Sequence, residues 1–335
     1  MVVRPPFDPE LEVALRDRRD QVVTSLTAEE IPALRLRAAG ADAIATAVAG
    51  AFATSVHEVP GGRGGPPVGL LLLRPMGPPG ALPCLVHLHG GGLVAGSRYD
   101  DVVPLLGLAA QVGCAVASVE YRLAPEDPYP AALEDSHAAL RWLVANAARL
   151  GLDPDRMVIE GVSAGGGLAA AVALLARDRG GPGLAGQMLL FPMLDDRNDS
   201  PSAHQMQGAG VWDRVANETA WRAYLGDGAG GPEVPDQAAP ARATELAGLP
   251  PAFIDVGSAE TFRDEAVAYA TRLWLDGGAA ELHVWPGGFH GFDYLVPEAA
   301  VSVDAREARR RWLTRVLGLR PTSPAREDGP VSRTT

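Results

Sequence analysis

The stretch Arg156-Met157-Val158-Ile159-Glu160-Gly161-Val162-Ser163-Ala164-Gly165-Gly166-Gly167-Leu168 sets the architecture of this chain. Three apolar residues in a row, then Gly-x-Ser-x-Gly, then an alanine- and leucine-rich run to Ala176 read as strand, sharp turn and helix, with Ser163 at the apex. This is the form of a nucleophile elbow, where the serine backbone is strained and its neighbours come too close for side chains. A plainer reading is a glycine-rich turn that only permits close packing or cradles a phosphate. No Gly-Lys-Ser/Thr follows, and the spacing is not Gly-x-Gly-x-x-Gly, which weakens both phosphate readings.

Working outward, strands and helices alternate. Thr54 to Val59 and Val68 to Leu73 suggest a hairpin; strands follow at Cys84–His89, Cys114–Val119, Met157–Glu160, Met188–Phe191, Ala252–Val256 and Glu281–Trp285. Helical patterns separate them, near 104–111 and at 131–149, 164–177 and 263–275, with a last one from Glu298 to Leu317. Such alternation predicts a mostly parallel sheet with helices on both faces. Asp153-Pro154-Asp155 reads as a turn before the elbow strand. Amphipathic helices are expected from Pro9 to about Leu26 and from Ala28 to Ala39. Between Asp195 and Ala241 the rhythm breaks around a helical run, Val211 to Leu225, bearing Trp212, Trp221 and Tyr224. The expected organisation is cap helices in 1–50, core in 51–194, a cap insertion in 195–241, core again in 242–319 and a disordered tail in 320–335. Trp212, Trp221 and Tyr224 are either pocket residues beneath that cap or ordinary core.

Composition narrows the function classes. The 335 residues are 47% hydrophobic and 21% charged, enough for one large α/β unit, and the net charge of -12 with no basic stripe argues against a nucleic-acid partner. The N-terminus has no apolar signal region, and no run of about 18 apolar residues is present, so a cytoplasmic protein without membrane association is expected. Cys84 and Cys114 each lie in apolar runs and read as small buried hydrophobes. A metal site from His87 and His89 is an alternative reading of the stretch that carries them.

A serine becomes a nucleophile when an imidazole takes its proton, and the imidazole needs a carboxylate to fix its tautomer. Of the histidines after Ser163, His204 falls in the insertion and His283 within a strand, whereas His290 sits in a Gly287-Gly288-Phe289-His290-Gly291-Phe292 loop past the last strand. Loops past strand ends are where ligands meet an open α/β sheet, which favours His290 as the base. Asp255, Glu260, Asp264 and Glu265 are the candidate acids. Glu260 lies in the connecting loop and is preferred, with Asp264 its main competitor. His89-Gly90-Gly91-Gly92 leaves a strand with three residues lacking side chains, so the Gly91 and Gly92 amides, with that of Ala164, are the expected oxyanion donors.

Several motifs in order carry a family resemblance: His87-Leu88-His89-Gly90-Gly91-Gly92, Tyr121-Arg122-Leu123-Ala124-Pro125-Glu126, Gly161-Val162-Ser163-Ala164-Gly165-Gly166, Phe262-Arg263-Asp264-Glu265 and His290-Gly291-Phe292. The chain resembles the bacterial hormone-sensitive-lipase-like esterases of the α/β-hydrolase superfamily. The resemblance implies an α/β-hydrolase fold with an eight-stranded, mostly parallel sheet, a helical cap from the N-terminus and an insertion, and hydrolysis of short-chain esters without a cofactor. It also suggests a homodimer, as in many members. Two departures stand out: Val162 replaces a frequent Asp, and Glu260 stands where the family usually has an Asp. The alignment carries the acid role to Glu260. The same triad serves amide, carbamate or lactone substrates, and non-catalytic receptors also exist on this scaffold.

Overall fold

The computed structural model describes residues 3–48, 50–77 and 80–319; the tail expected at 320–335 lies outside them. Eight strands form one sheet: β1 (Phe52–Val59), β2 (Val68–Pro75), β3 (Leu82–Leu88), β4 (Ala115–Glu120), β5 (Leu152–Val162), β6 (Gly186–Leu190), β7 (Ala252–Gly257) and β8 (Ala280–Trp285). Their order is β1-β2-β4-β3-β5-β6-β7-β8. The expected hairpin is there: β1 pairs antiparallel with β2, and β2 antiparallel with β4. All remaining pairs are parallel. A parallel sheet covered on both faces needs strands that are apolar on both sides. Accordingly β3, β5 and β6 bury Leu85, Val86, Val158, Ile159, Met188 and Leu189 completely.

Local differences from the sequence reading have local causes. Asp153-Pro154-Asp155 belongs to β5, which starts at Leu152, and forms an irregularity within it: pairing passes from Leu82–Leu152 to Cys84–Met157, so the extra residues are on β5. The first helix stops at Asp17, because the polar run Arg18-Arg19-Asp20 breaks its apolar face, and Val22 and Val23 line a cavity instead. The insertion helix begins at Arg214 rather than Val211, since Asp213 caps it by accepting from the amides of Val215 and Ala216, both at 2.9 Å. A helix at Ala41–Val48 had no signal: Ile44 is its one buried residue among those described.

The insertion closes on itself at its base. Ala241 N–H donates to the Leu194 carbonyl at 3.1 Å, and Arg242 pairs with buried Asp196. The N-terminal segment is stitched to distant parts of the chain, with Asp8 N–H on the Gly287 carbonyl at 3.1 Å and Phe7 edge-on to Phe289 at 6.0 Å. Cys84 and Cys114 are free and buried, and burial raises both thiol pKa values, that of Cys114 to about 12. Among the described residues no helix is long and apolar enough to cross a membrane.

Candidate active site

The elbow is built as its glycines require. Ser163 adopts φ 57° and ψ −119°, a conformation costly for a residue with a side chain. Three hydrogen bonds hold it there: its N–H donates to the Leu190 carbonyl at 2.8 Å, and its carbonyl accepts from Gly167 and Met193 N–H, each at 3.0 Å. A Cβ at Gly161 would lie 2.1 Å from the Gly165 carbonyl oxygen, and one at Gly165 would lie 2.0 Å from that of Leu88. Any side chain at either position would push the helix off β3 and β5.

Because β5 lies between β3 and β6, the loops after β3 and β5 open side by side at the carboxyl edge of the sheet. The loops after β7 and β8 must reach back to join them. Close backbone approach makes this happen: a Cβ at Gly257 would stand 2.1 Å from the Gly288 carbonyl oxygen, which accepts from Ala259 N–H at 3.0 Å. His290 is thereby delivered to the elbow. Its Nε2 is 2.9 Å from Ser163 Oγ and its Nδ1 is 3.0 Å from Glu260 Oε1. Glu260 is fixed in turn, since its Oε2 accepts from Gly257 N–H at 2.8 Å. Phe191 and Phe262 pack edge-on to the imidazole at 5.2 and 5.1 Å. Such a relay can move the Ser163 proton onto an imidazole whose positive charge is met by a buried carboxylate.

The other candidates are engaged elsewhere. Asp264 accepts from Ser202 N–H at 2.8 Å and from Arg263 at 2.7 Å, Glu265 caps Leu194 N–H at 2.6 Å, and Asp255 pairs with buried Arg309. His204 is exposed beside Asp199, and His283 stacks on Trp285.

The His89-Gly90-Gly91-Gly92 loop is held from beneath. Tyr121 stacks on His89 with ring centroids 4.1 Å apart and donates its hydroxyl proton to the His89 carbonyl at 2.7 Å. Burial pushes the His89 imidazole down to about 3. It is therefore neutral, and its Nδ1–H donates to the Gly90 carbonyl at 2.7 Å. His87 sits between Glu160, at 2.5 Å, and the Asp100 carbonyl, at 3.1 Å. Burial works against charge on His87, but the adjoining Glu160 carboxylate outweighs it and raises the pKa. Both histidines thus brace the loop. Asp101, missed in the sequence, takes the Gly90 N–H at 2.8 Å. The Gly91 and Gly92 amides, by contrast, have no acceptor among the described residues. Nor does that of Ala164, which starts the Ala164–Asp178 helix. Donors at a helix N-terminus favour a developing negative charge.

Ser163, His290 and Gly91 line a cavity of about 420 Å³. Its walls are mainly apolar: Val22, Val23 and Leu34 from the N-terminal segment, Val162, Phe191, Val211, Trp212, Tyr294 and Leu295. Val162, the departure at the elbow, is thus part of the wall. Of the three insertion aromatics only Trp212 is on it. Its ring lies over Gly92, where a Cβ would come 2.5 Å from the indole. Trp221 and Tyr224 are corrected to core: they share the buried face of the Arg214–Leu225 helix with Asn217 and Ala220, and Tyr224 packs edge-on to Tyr129 at 5.8 Å. The helical spacing that put them together pointed them inward.

Residues 85–294 match the α/β-hydrolase fold family. The chain belongs to that family. Within it, the ordered motifs place the protein in the hormone-sensitive-lipase-like branch. This α/β-hydrolase is 42% identical over 226 residues to the carboxylesterase NlhH of Mycobacterium tuberculosis, an alignment covering 65% of this chain and 70% of the relative. It is 38% identical to the esterase LipI of the same species, over 69% and 71% of the two chains. Among solved structures, a bacterial heroin esterase superposes with a TM-score of 0.83 at 36% identity, covering 93% of this chain and 98% of the other. The esterase LipW of Mycobacterium marinum does so with 0.82 at 36% identity, covering 94% and 99%.

Proposed function

We propose that this carboxylic ester hydrolase works through an acyl-enzyme formed on Ser163, and that its substrates are small esters with a short acyl chain. The observation that carries the reading is the continuous relay from Ser163 Oγ to His290 at 2.9 Å and on to Glu260 at 3.0 Å. In the first half-reaction Ser163 Oγ attacks the ester carbonyl while His290 Nε2 takes its proton. The oxyanion is met by the Gly91, Gly92 and Ala164 amides, and Glu260 stabilises the imidazolium without taking the proton itself. His290 then protonates the departing alcohol. Water then attacks the acyl carbonyl and loses a proton to His290, and as the acyl–Oγ bond breaks His290 returns that proton to Ser163 Oγ and the acid leaves.

The preference for short acyl groups rests on the cavity, which at about 420 Å³ is near the lower end of ligand pockets and is walled by valine, leucine and aromatic side chains. A receptor without chemistry is disfavoured, because such a protein has no need to keep nucleophile, base and acid in hydrogen-bonding register. Ser163→Ala should lower turnover of p-nitrophenyl acetate by several orders of magnitude, and a fluorophosphonate probe should label the parent but not the variant. Near-parental turnover or labelling of the variant would refute the assignment. A panel of esters, anilides and lactones run beside it ranks the substrate classes that share this mechanism.

A further inference from the structure

A second cavity, of about 550 Å³, lies behind the first, between the Val102–Val112 and Ala300–Val316 helices. Nothing in the relay uses it. Its wall includes Val103, Leu105, Leu108, Leu190 and Val303, and among the described residues Tyr294 alone lines both cavities. The two spaces meet at three places along the chain: Asp101 lines the first and Val103 the second, Phe191 the first and Leu190 the second, and Leu295 the first and Pro297 the second. Leu190 brings the second cavity close to the nucleophile, for its carbonyl accepts the Ser163 N–H at 2.8 Å. Of the charged residues on its wall, Asp293 and Arg309 are paired with each other at 2.5 Å, and Arg306 and Glu307 lie with Arg309 on the Ala300–Val316 helix, so the leucine side across from that helix is an apolar path. That path is open to the outside, where Val103 and Val303 at the rim are 44% and 48% exposed.

Tyr294 is held in place by packing. Its ring meets Phe191 edge-on at 6.1 Å, and among the described residues its hydroxyl makes no hydrogen bond. Shortening it would join the two cavities without stranding a polar partner.

We propose that Tyr294 is the partition that limits acyl length, and that the cavity behind it is a latent subsite for the distal methylenes of a medium-chain acyl group. The inference rests on the serine-esterase reading above. Each methylene moved from water into an apolar site is worth about fourfold in kcat/KM when the transition state retains the contact.

The test compares p-nitrophenyl acetate, butanoate, octanoate and decanoate on the parent, Tyr294→Ala, Tyr294→Phe and Leu108→Trp, the last filling the second cavity from the side away from Ser163. Tyr294→Ala should raise the decanoate-to-acetate ratio of kcat/KM by about tenfold or more, whereas Tyr294→Phe should leave it near the parent. Leu108→Trp alone should leave acetate hydrolysis unchanged, and added to Tyr294→Ala it should cancel the gain. If thermal melts show that Tyr294→Ala does not fold, Tyr294→Leu serves in its place. An unchanged ratio in a folded variant, or a gain that survives Leu108→Trp, would overturn the partition while acetate turnover by the parent left the esterase reading standing. A parent inactive on every ester would overturn both.

Discussion

Replacing Glu260 by glutamine tests the relay at its most informative atom pair. The carboxylate has two partners, His290 Nδ1–H at 3.0 Å and Gly257 N–H at 2.8 Å, and it is 1% exposed. An amide cannot satisfy both. With its oxygen on Gly257, its NH₂ faces Nδ1 and forces the imidazole proton onto Nε2, which then donates to Ser163 Oγ instead of accepting from it. With its oxygen on Nδ1–H, two donors confront each other at Gly257, a buried mismatch of roughly 1–3 kcal/mol. In either orientation the imidazolium formed during catalysis loses its counter-charge. At roughly 4 Å between charge centres and an effective dielectric constant near 20, that is about 4 kcal/mol, or roughly three powers of ten in rate. The variant should therefore show kcat for p-nitrophenyl acetate reduced about 10³–10⁴-fold with KM within a few-fold of the parent. Asp264→Asn, which loosens only the Ser202 and Arg263 contacts, should cost a few-fold at most. A folded Glu260→Gln enzyme within tenfold of the parent, or a larger loss from Asp264→Asn, would refute the assignment of the acid.

Other substitutions probe the supports. Gly92→Ala should lower kcat about 100-fold, because its methyl would stand 2.5 Å from the Trp212 ring at a φ of +66°, and Trp212→Ala should restore part of the loss. Tyr121→Phe strands the buried His89 carbonyl and should destabilise the fold by about 1–3 kcal/mol in chemical denaturation. Glu134 is held below its ordinary pKa by its hydrogen bonds to Arg179 and by the charges of Arg179 and Arg63, which together outweigh burial acting the other way. A depressed carboxylate contributes stability above its unfolded pKa of about 4.3 and loses it as pH falls through the folded value. Glu134→Gln should therefore be less stable than the parent by about 1 kcal/mol at pH 7, and the gap should close in acid melts. A gap that persists or widens at low pH would remove the ion pair as its cause.

The sequence was most legible where the backbone leaves little choice. Ser163 had to lie between Gly161 and Gly165 because the helix crowds the missing side chain of the first and the end of β3 that of the second, so the elbow was written in residue type. Glu260 and His290 were legible from chain order and loop position, although neither is near Ser163 in sequence. Aromatic residues on a helix carry no such constraint: Trp221 and Tyr224 have the same spacing whether the helix faces a cavity or the core, and only packing decides. Asp101 was invisible for a different reason. Its role is to accept one amide, that of Gly90, and an aspartate at a helix start reads as an ordinary cap. The second cavity left no motif at all, since it is a space between two helices.

The stitching of the N-terminal segment has a consequence for how the protein is made. Val22, Val23 and Leu34 roof the cavity, and Phe7 and Leu11 belong to a separate apolar cluster with Phe289 and Phe292. Phe7 and Leu11 leave the ribosome well before Phe289 and Phe292, their partners in that cluster. During synthesis the sheet can assemble while the roof has nothing to cover, leaving Phe7 and Leu11 exposed until residues 287–295 emerge. Completion of the cavity thus waits for the His290 loop, which carries the imidazole beside Ser163 and is also the dock on which residues made well before it come to rest.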